Sequence, residues 1–195
     1  NKRKKINNKI FKVLFKKKSD RILNYDGKVL PYKNASFDFI FSQQVIEHIE
    51  EKSLDHYLSE EARVLKNRGF ALHQIPHRLG PFEGHTKKWF IHWLPKNIYH
   101  YLLKKDKAKL SLVKNALFLK WPWELKISFN KYFSSVKNIS INRLKVDINS
   151  DEYSLKEKII RKALVILFRI PLAGKLFLIL FSVFFQLEFI VQKKN

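Results

Sequence analysis

The chain has 195 residues, of which 46% are hydrophobic and 14% aromatic, enough for one domain with a sizeable core. It contains no cysteine, which excludes disulfide scaffolds, thiolate metal sites and cysteine nucleophiles. It carries 39 Lys and Arg against 17 Asp and Glu, a formal net charge of +22. This charge suits an anionic partner. It also suits a compositional bias towards Lys, Asn, Ile and Phe, so charge alone identifies no partner.

The N-terminal segment is strongly basic. Residues 1–18 hold nine Lys and Arg and no acid, and Ile6, Ile10, Val13 and Leu14 recur at helical spacing. The pattern predicts an amphipathic basic helix within residues 1–19, and it is not typical of a signal peptide. The favoured interpretation is an outer helix of an α/β domain. The alternative is an arm that binds a membrane or a nucleic acid.

Two apolar segments that follow predict neighbouring β-strands. Residues 21–25 (RILNY) are expected to form a short buried strand, which Asp26 and Gly27 close. Residues 37–42 (FDFIFS) are apolar on both faces, which is typical of central strands in a parallel sheet.

A helix and a third strand come next. The apolar face of the helix is formed by Leu54, Tyr57, Leu58, Ala62 and Leu65. Gly69 is predicted to cap this helix, and residues 70–75 (FALHQI) predict a strand that Pro76 ends. The succession of strand, helix and strand predicts a right-handed crossover and a parallel sheet, and hence an α/β domain.

The second half of the chain is less regular. Residues 76–95 show little apolar periodicity and are predicted as a long loop, with a helix restarting at Pro95. Residues 136–146 and 184–194 predict a fourth and a fifth strand.

A hydrophobic segment precedes the last predicted strand. In residues 155–187 the longest uncharged run is 12 residues, shorter than the roughly 20 that a membrane-spanning helix needs. The favoured interpretation is a buried helix broken near Pro171 and Gly174; the alternative is a helix lying in a membrane interface. The predicted division is a basic helix (1–19), a core (20–150), and a hydrophobic helix with the final strand (151–195).

Polar residues follow three of the predicted strands. They are Asp26 and Gly27, then Ser42, Gln43, Gln44, Glu47 and His48, then His77 and Arg78. In open α/β sheets, ligands bind beyond the carboxyl ends of the strands. The sequence therefore predicts a ligand crevice at this edge of the sheet.

Four short motifs occur in order between residues 20 and 95. They are Asp26 with Leu30-Pro31-Tyr32, Ser36-Phe37-Asp38, Glu47-His48, and Arg63-Val64-Leu65-Lys66 with Gly69. In this order the motifs resemble the second half of a class I S-adenosylmethionine-dependent methyltransferase of the small-molecule type-11 kind, although Asn67 and Arg68 depart from its Pro-Gly. The resemblance implies an α/β, Rossmann-like sheet and S-adenosyl-L-methionine as cofactor.

The resemblance also implies roles for individual residues. Asp26 is expected to accept a hydrogen bond from the adenine amino group, and Gly27 to let the backbone come close. Ser42, Gln43 and Gln44 are expected to line the methionine end of the cofactor.

The acceptor side is expected to involve histidine. Methyl transfer to oxygen or nitrogen often needs a base, and His48 and His85 are the candidates because an unperturbed histidine titrates near neutrality. A purely structural role is open for each. The substrate-binding candidates are Glu47, His77, Arg78, Glu83 and Trp93. Glu83 and His85 have a spacing that a metal site can use, but no third ligand is evident in the sequence and no metal is predicted.

The glycine-rich first motif of the family has no match. The five glycines stand at 27, 69, 80, 84 and 174, and the chain has no methionine. We therefore expect a fragment whose sheet lacks the first two family strands, which opens a gap or leaves a bare hydrophobic edge. Such a fragment is expected to bind the cofactor poorly and to be inactive alone.

The sequence favours methyl transfer to a small-molecule or a lipid- or sugar-linked acceptor. The alternative is a degenerate methyltransferase-like binding module. A cytoplasmic location is expected, which the absence of cysteine suits. Peripheral binding to an anionic membrane, at the inner membrane face, is compatible with either function, because basic residues flank the C-terminal apolar segment. A nucleic-acid partner is not predicted, since the aromatic residues follow core periodicity rather than an exposed stacking stripe.

Overall fold

A four-stranded mixed sheet lies at the centre of the fold. The computed structural model describes residues 2–16, 23, 25–142 and 186–194, with single positions 159, 162, 166, 170, 174, 176 and 180. In chain order the elements are α1 (Lys2–Phe15), β1 (Phe37–Gln43), α2 (Glu51–Val64), β2 (Leu65–Ile75), β3 (Phe82–Glu83), β4 (Lys88–Trp89), α3 (Lys96–Leu102), α4 (Lys107–Asn115), α5 (Pro122–Tyr132), β5 (Phe133–Asn138) and β6 (Leu187–Lys193). Short 3-10 turns span Ile46–His48 and Ile91–Trp93.

The sheet has the order β1-β2-β6-β5. Strands β1 and β2 are parallel and are connected through α2, as the sequence predicts. Strand β6 runs antiparallel to both of its neighbours, β2 and β5. The fold is therefore α/β and Rossmann-like, with an incomplete sheet in the described residues, and its only parallel pair places the ends of β1 and β2 at one edge.

The main core lies between the sheet and the helices α2 and α5. Helix α2 buries Leu54 and Leu58 one turn apart, which is the spacing that defines its apolar face. These side chains pack with Leu125 and Phe129 of α5 and with Phe189 of β6. A smaller cluster joins α3 to α4 and the segment after it through Tyr99, Leu103, Val113 and Leu117.

The predicted helix cap at Gly69 is wrong. Helix α2 ends at Val64, and Leu65 is already extended (φ −70°, ψ 140°), so β2 begins five residues earlier than predicted. Gly69 lies inside β2, where a Cβ would come within 3.2 Å of the carbonyl oxygens of Phe37 and Asp38. Close contact with β1, not helix capping, explains this glycine.

Strand β1 lies at an edge of the described sheet rather than at its centre. Phe39 and Phe41 on one face are 46% and 51% exposed, whereas Ser42 on the other face is buried. The prediction that β1 is apolar on both faces holds for its sequence, but only one face is covered by described residues.

Other segments differ from the prediction or lie outside the described residues. Of the strand predicted at 21–25, only Leu23 and Tyr25 are described, and both are exposed and outside any strand. Residues 76–95 are not a plain loop, since they contain the β3–β4 hairpin and a 3-10 turn. Strand β5 starts before the predicted 136–146, and residues 143–146 lie outside the description, as does most of 155–187.

Helix α1 confirms the helical pattern predicted for the N-terminus. Its apolar residues Ile6, Ile10, Val13 and Leu14 are 47–70% exposed. Within the described residues, no helix is long and apolar enough to cross a lipid bilayer.

Candidate functional site

The parallel strands deliver three titratable side chains to one place. Strand β1 leads into the 3-10 turn that carries Glu47 and His48, and β2 leads into the hairpin that carries His85. One donor atom of each residue lies within 4.8 Å of the other two. We refer to Glu47, His48 and His85 as the EHH cluster.

Glu47 is the buried member of the cluster. Its relative exposure is 1%, and neither carboxylate oxygen has a hydrogen-bond partner among the described residues. Burial raises the pKa of Glu47, and the neighbouring His48, His85 and Lys120 only partly offset this effect. A buried carboxylate without a donor is costly, so this position calls for a chemical reason.

His48 is held by a backbone carbonyl. Its Nδ1 lies 2.5 Å from the carbonyl oxygen of Ala116, and a carbonyl only accepts, so Nδ1 carries the proton. The other ring nitrogen, Nε2, lies 3.9 Å from Oε1 of Glu47. The side chain is 40% exposed, so the ring bridges the buried carboxylate and the surface.

His85 is held in the same way by a carboxylate. Its Nδ1 lies 2.8 Å from Oε1 of Glu83, whose Oε2 accepts from the Thr86 amide at 2.6 Å. Burial alone would raise the pKa of Glu83, but hydrogen bonds from Thr86 and His85 outweigh it and lower the pKa. Glu83 therefore orients His85, whose ring meets that of His48 edge to face at 5.3 Å.

A buried lysine supports the turn that carries the cluster. The Lys120 ammonium donates to the carbonyl oxygens of Ile46, Ile49 and Phe118 at 3.1, 2.7 and 3.1 Å. Burial lowers the pKa of Lys120 to about 8. The Phe118 amide donates to the carbonyl oxygen of Glu47 at 2.6 Å, which fixes the turn from the same side.

The predicted adenine residue lies on a loop that is attached to α2. The Oδ1 atom of Asp26 accepts from the Lys28 and Val29 amides at 2.9 and 3.4 Å, and the Lys28 bond is the main cause of its lowered pKa. Gly27 has φ +81°, a conformation that favours glycine. The carboxylate is exposed, so it is open to a ligand.

Arg63 of α2 fastens this loop. Its guanidinium makes a two-pronged contact with Glu60 at 2.7 and 2.8 Å and donates to the carbonyl oxygens of Leu30 and Tyr32 at 3.0 and 2.8 Å. Glu60 in turn accepts from the Leu30 amide at 2.8 Å. The arginine of the fourth motif is thus a structural residue that holds the first motif.

The comparisons with known proteins agree with the motifs. The sequence matches a family model described as "Methyltransferase domain" over residues 4–73. Residues 4–73 match a methyltransferase domain family. The resemblance to class I, S-adenosylmethionine-dependent methyltransferases is confirmed by this match, and S-adenosylmethionine is the cofactor that the domain implies.

Solved structures give weaker likenesses. Phosphoethanolamine N-methyltransferase 2 of Haemonchus contortus is 17% identical with a TM-score of 0.42, and the match covers 87% of this chain and 36% of that chain. Geranyl diphosphate C-methyltransferase of Streptomyces coelicolor is 11% identical with a TM-score of 0.49, covering 98% and 61%. A possible histamine N-methyltransferase of Thermotoga maritima is 26% identical with a TM-score of 0.41, covering 60% and 46%.

These scores are too low to establish a shared activity, and the chain spans less than two thirds of the length of each of these three proteins. The comparison with curated protein sequences gave no match.

The structure brings together only some of the predicted cofactor residues. Gln43 is the last residue of β1 and Gln44 follows it, and both are exposed; the Gln44 amide donates to the carbonyl oxygen of Gln74 at 2.9 Å. The Ser42 hydroxyl is buried 3.4 Å from that of Tyr57, on the side of the sheet that α2 covers. The cofactor role of all three stays a prediction.

The predicted substrate residues also lie apart from one another in the structure. Glu47 joins the EHH cluster and Glu83 lies behind it, while His77 is buried and Trp93 is 40% exposed. Arg78 donates to the carbonyl oxygens of His92 and Leu94 and lies over the Trp121 ring at 5.1 Å, so its guanidinium fastens the loop.

Neither Lys120 nor the Ala116 carbonyl is indicated by the sequence. A single lysine does not stand out in a chain with 39 basic residues, and a backbone acceptor has no side-chain signature.

Proposed function

We propose that the protein transfers a methyl group from S-adenosylmethionine to an oxygen or nitrogen atom of a small-molecule acceptor. The observation that carries the proposal is the EHH cluster at the carboxyl ends of β1 and β2, within and next to a matched methyltransferase domain. Two histidines and a buried carboxylate at this edge of the sheet support an acceptor site there.

The chemistry needs an in-line approach. S-adenosylmethionine would supply a methyl group on a positive sulfur. The acceptor lone pair would form the new bond to carbon as the sulfur–carbon bond breaks and S-adenosylhomocysteine leaves, and the acceptor's proton would pass to a base or to water. Asp26 would hold the adenine amino group, with Gln43 and Gln44 at the methionine end. His48 and His85 would contact the acceptor; their role as bases stays a prediction.

The cofactor assignment is tested by S-adenosylhomocysteine binding to the protein expressed from its whole reading frame. Asp26→Asn is expected to weaken S-adenosylhomocysteine binding about tenfold or more, because a neutral amide would replace the charged carboxylate that accepts from the adenine amino group. Asp38→Asn is the matched control, since Asp38 is exposed and paired with Lys66 at the other end of β1. Equal affinities of the two variants would contradict the assignment.

The alternative, a degenerate binding module, is tested by the DNA upstream of the codon for Asn1. A continuous frame that encodes an apolar strand ending in acid-x-Gly-x-Gly supports the enzyme. A start codon directly before Asn1 favours the binding module, because the cofactor loop would then be lost.

Membrane association stays a prediction, favoured by one feature. The exposed Ile6, Ile10, Val13 and Leu14 lie on a helix whose charged residues are all basic. Co-sedimentation with vesicles that contain anionic lipid at low salt is expected, and its absence would remove the membrane from the proposal. The acceptor class, including a lipid-linked one, is left open by this test.

A further inference from the structure

We propose that the EHH cluster is a binding site for a divalent transition-metal ion, with zinc as the best-suited ion. Glu47, His48 and His85 would supply one carboxylate oxygen and two imidazole nitrogens. Binding itself does not depend on methyl transfer.

The first argument is the state of the two histidines. Nδ1 of His48 donates to the Ala116 carbonyl, and Nδ1 of His85 donates to Glu83, so each ring leaves the lone pair of Nε2 for a ligand. Metal-binding histidines are held in this way, with the second ring nitrogen donating to a carbonyl or carboxylate. Both rings are therefore set in the tautomer that coordination needs.

The second argument is the buried carboxylate. Glu47 is 1% exposed and its oxygens accept no hydrogen bond among the described residues, yet Oε1 lies 3.9 Å from Nε2 of His48. The buried Lys120 donates its ammonium to three backbone carbonyls, and no hydrogen bond from it to Glu47 is found among the described residues. A metal ion between Glu47 and the histidines would supply the positive partner that the carboxylate lacks.

The distances require a small adjustment on binding. Zinc ligands lie about 2.0–2.2 Å from the ion, so ligand atoms in a tetrahedral site are about 3.4 Å apart. In the EHH cluster, one donor atom of each residue lies within 4.8 Å of the other two, and the named pair, His48 Nε2 and Glu47 Oε1, is 3.9 Å apart. The two histidine side chains, which are 40% and 29% exposed, would move to close a gap of up to about 1.4 Å.

The ligand set selects the kind of ion. Imidazole suits zinc, copper, iron and nickel, whereas magnesium and calcium prefer oxygen ligands alone. Three protein ligands leave a coordination position open. An acceptor hydroxyl bound there would lose its proton more easily, a role that rests on the proposed function and would replace the role of His48 and His85 as bases.

The test is a titration of the metal-free, untagged protein with zinc chloride, followed by calorimetry, in the absence of S-adenosylmethionine. One equivalent of zinc is expected to bind. His48→Asn and His85→Asn are each expected to weaken binding by more than the 10- to 100-fold loss expected for Glu83→Gln, which removes only an orienting group. His100→Asn is the matched control and is expected to bind as the parent does.

Cobalt absorption spectra give a second readout, because visible bands from a bound Co²⁺ ion report its ligands. The bands are expected in the parent and in His100→Asn and not in His85→Asn. No saturating equivalent of zinc, or unchanged binding by His48→Asn and His85→Asn, would overturn the metal site. Zinc binding without methyl transfer would leave the site standing and count against the proposed function alone.

Discussion

The residue type that a single position tolerates can depend on backbone atoms that are distant in the sequence, as Gly69 shows. A Cβ on Gly69 would lie 2.9 Å from the Lys66 carbonyl oxygen and 3.2 Å from those of Phe37 and Asp38. Because these are backbone atoms, the two strands must move apart to accept even alanine. We expect Gly69→Ala to lower the free energy of unfolding by about 1–3 kcal/mol, measured by urea denaturation.

Gly84→Ala is the control for this substitution. A Cβ on Gly84 would meet nothing within 4 Å, and its backbone is not in the left-handed region. A loss at Gly84 as large as that at Gly69 would show that strand contact is not the cause.

At the scale of elements, the loop that carries Asp26 depends on an ion pair. The Glu60 carboxylate, paired with Arg63, has its pKa lowered from 4.5 to about 2, mainly by the hydrogen bonds from Arg63. A lowered folded-state pKa contributes stability above the unfolded value and loses it as the pH falls towards the folded value. The contribution of Glu60 is therefore complete above pH 4.5 and disappears between pH 4.5 and 2.

The variant Glu60→Gln lacks this titration. We expect the parent to be more stable than Glu60→Gln at pH 6 and the difference to shrink at pH 3.5 and again near pH 2, measured by urea unfolding at each pH. Glu51→Gln, at the exposed start of the same helix, is the control. A difference that stays constant with pH would show that the ion pair does not attach the loop.

Helices and strands that show a hydrophobic pattern within their own residues could be predicted from the sequence. Helix α2 shows the spacing of Leu54 and Leu58, and β1 and β6 are apolar runs of strand length. The prediction that Gly69 caps a helix is wrong, because a glycine after a helical pattern is equally compatible with a helix cap and with a close contact between strands. The carbonyl oxygens that decide between them belong to β1, some thirty residues earlier.

The candidate site follows the same division. The positions of Glu47 and His48 after a strand were predictable, whereas their meeting with His85 depends on how the β3–β4 hairpin folds back. Glu83 is predicted to bind substrate, and this stays a prediction; the structure adds its contact with His85 Nδ1, which orients that ring and which the sequence does not indicate.

At the scale of the whole molecule, Lys120 links the main core to the smaller cluster. Its ammonium donates to the carbonyl oxygens of Ile46 and Ile49, at the start of the 3-10 turn that carries Glu47 and just after it. It also donates to the carbonyl oxygen of Phe118, next to the buried Leu117. Lys120 is only 8% exposed, so water would poorly replace its ammonium as the donor to these carbonyls. The link therefore couples the position of Glu47 to the packing of α3 and α4.

We expect Lys120→Met, which keeps much of the side-chain length but removes the donor, to lower the free energy of unfolding by about 2–4 kcal/mol, because three carbonyls lose their partner. The Phe118 amide donates to the backbone carbonyl oxygen of Glu47 at 2.6 Å. In Lys120→Met, hydrogen exchange of this amide is expected to speed up more than that of amides in β2. Lys126→Met, at an exposed position of α5, is the matched control. Uniform acceleration in both places would mean that Lys120 contributes to global stability without linking the two parts.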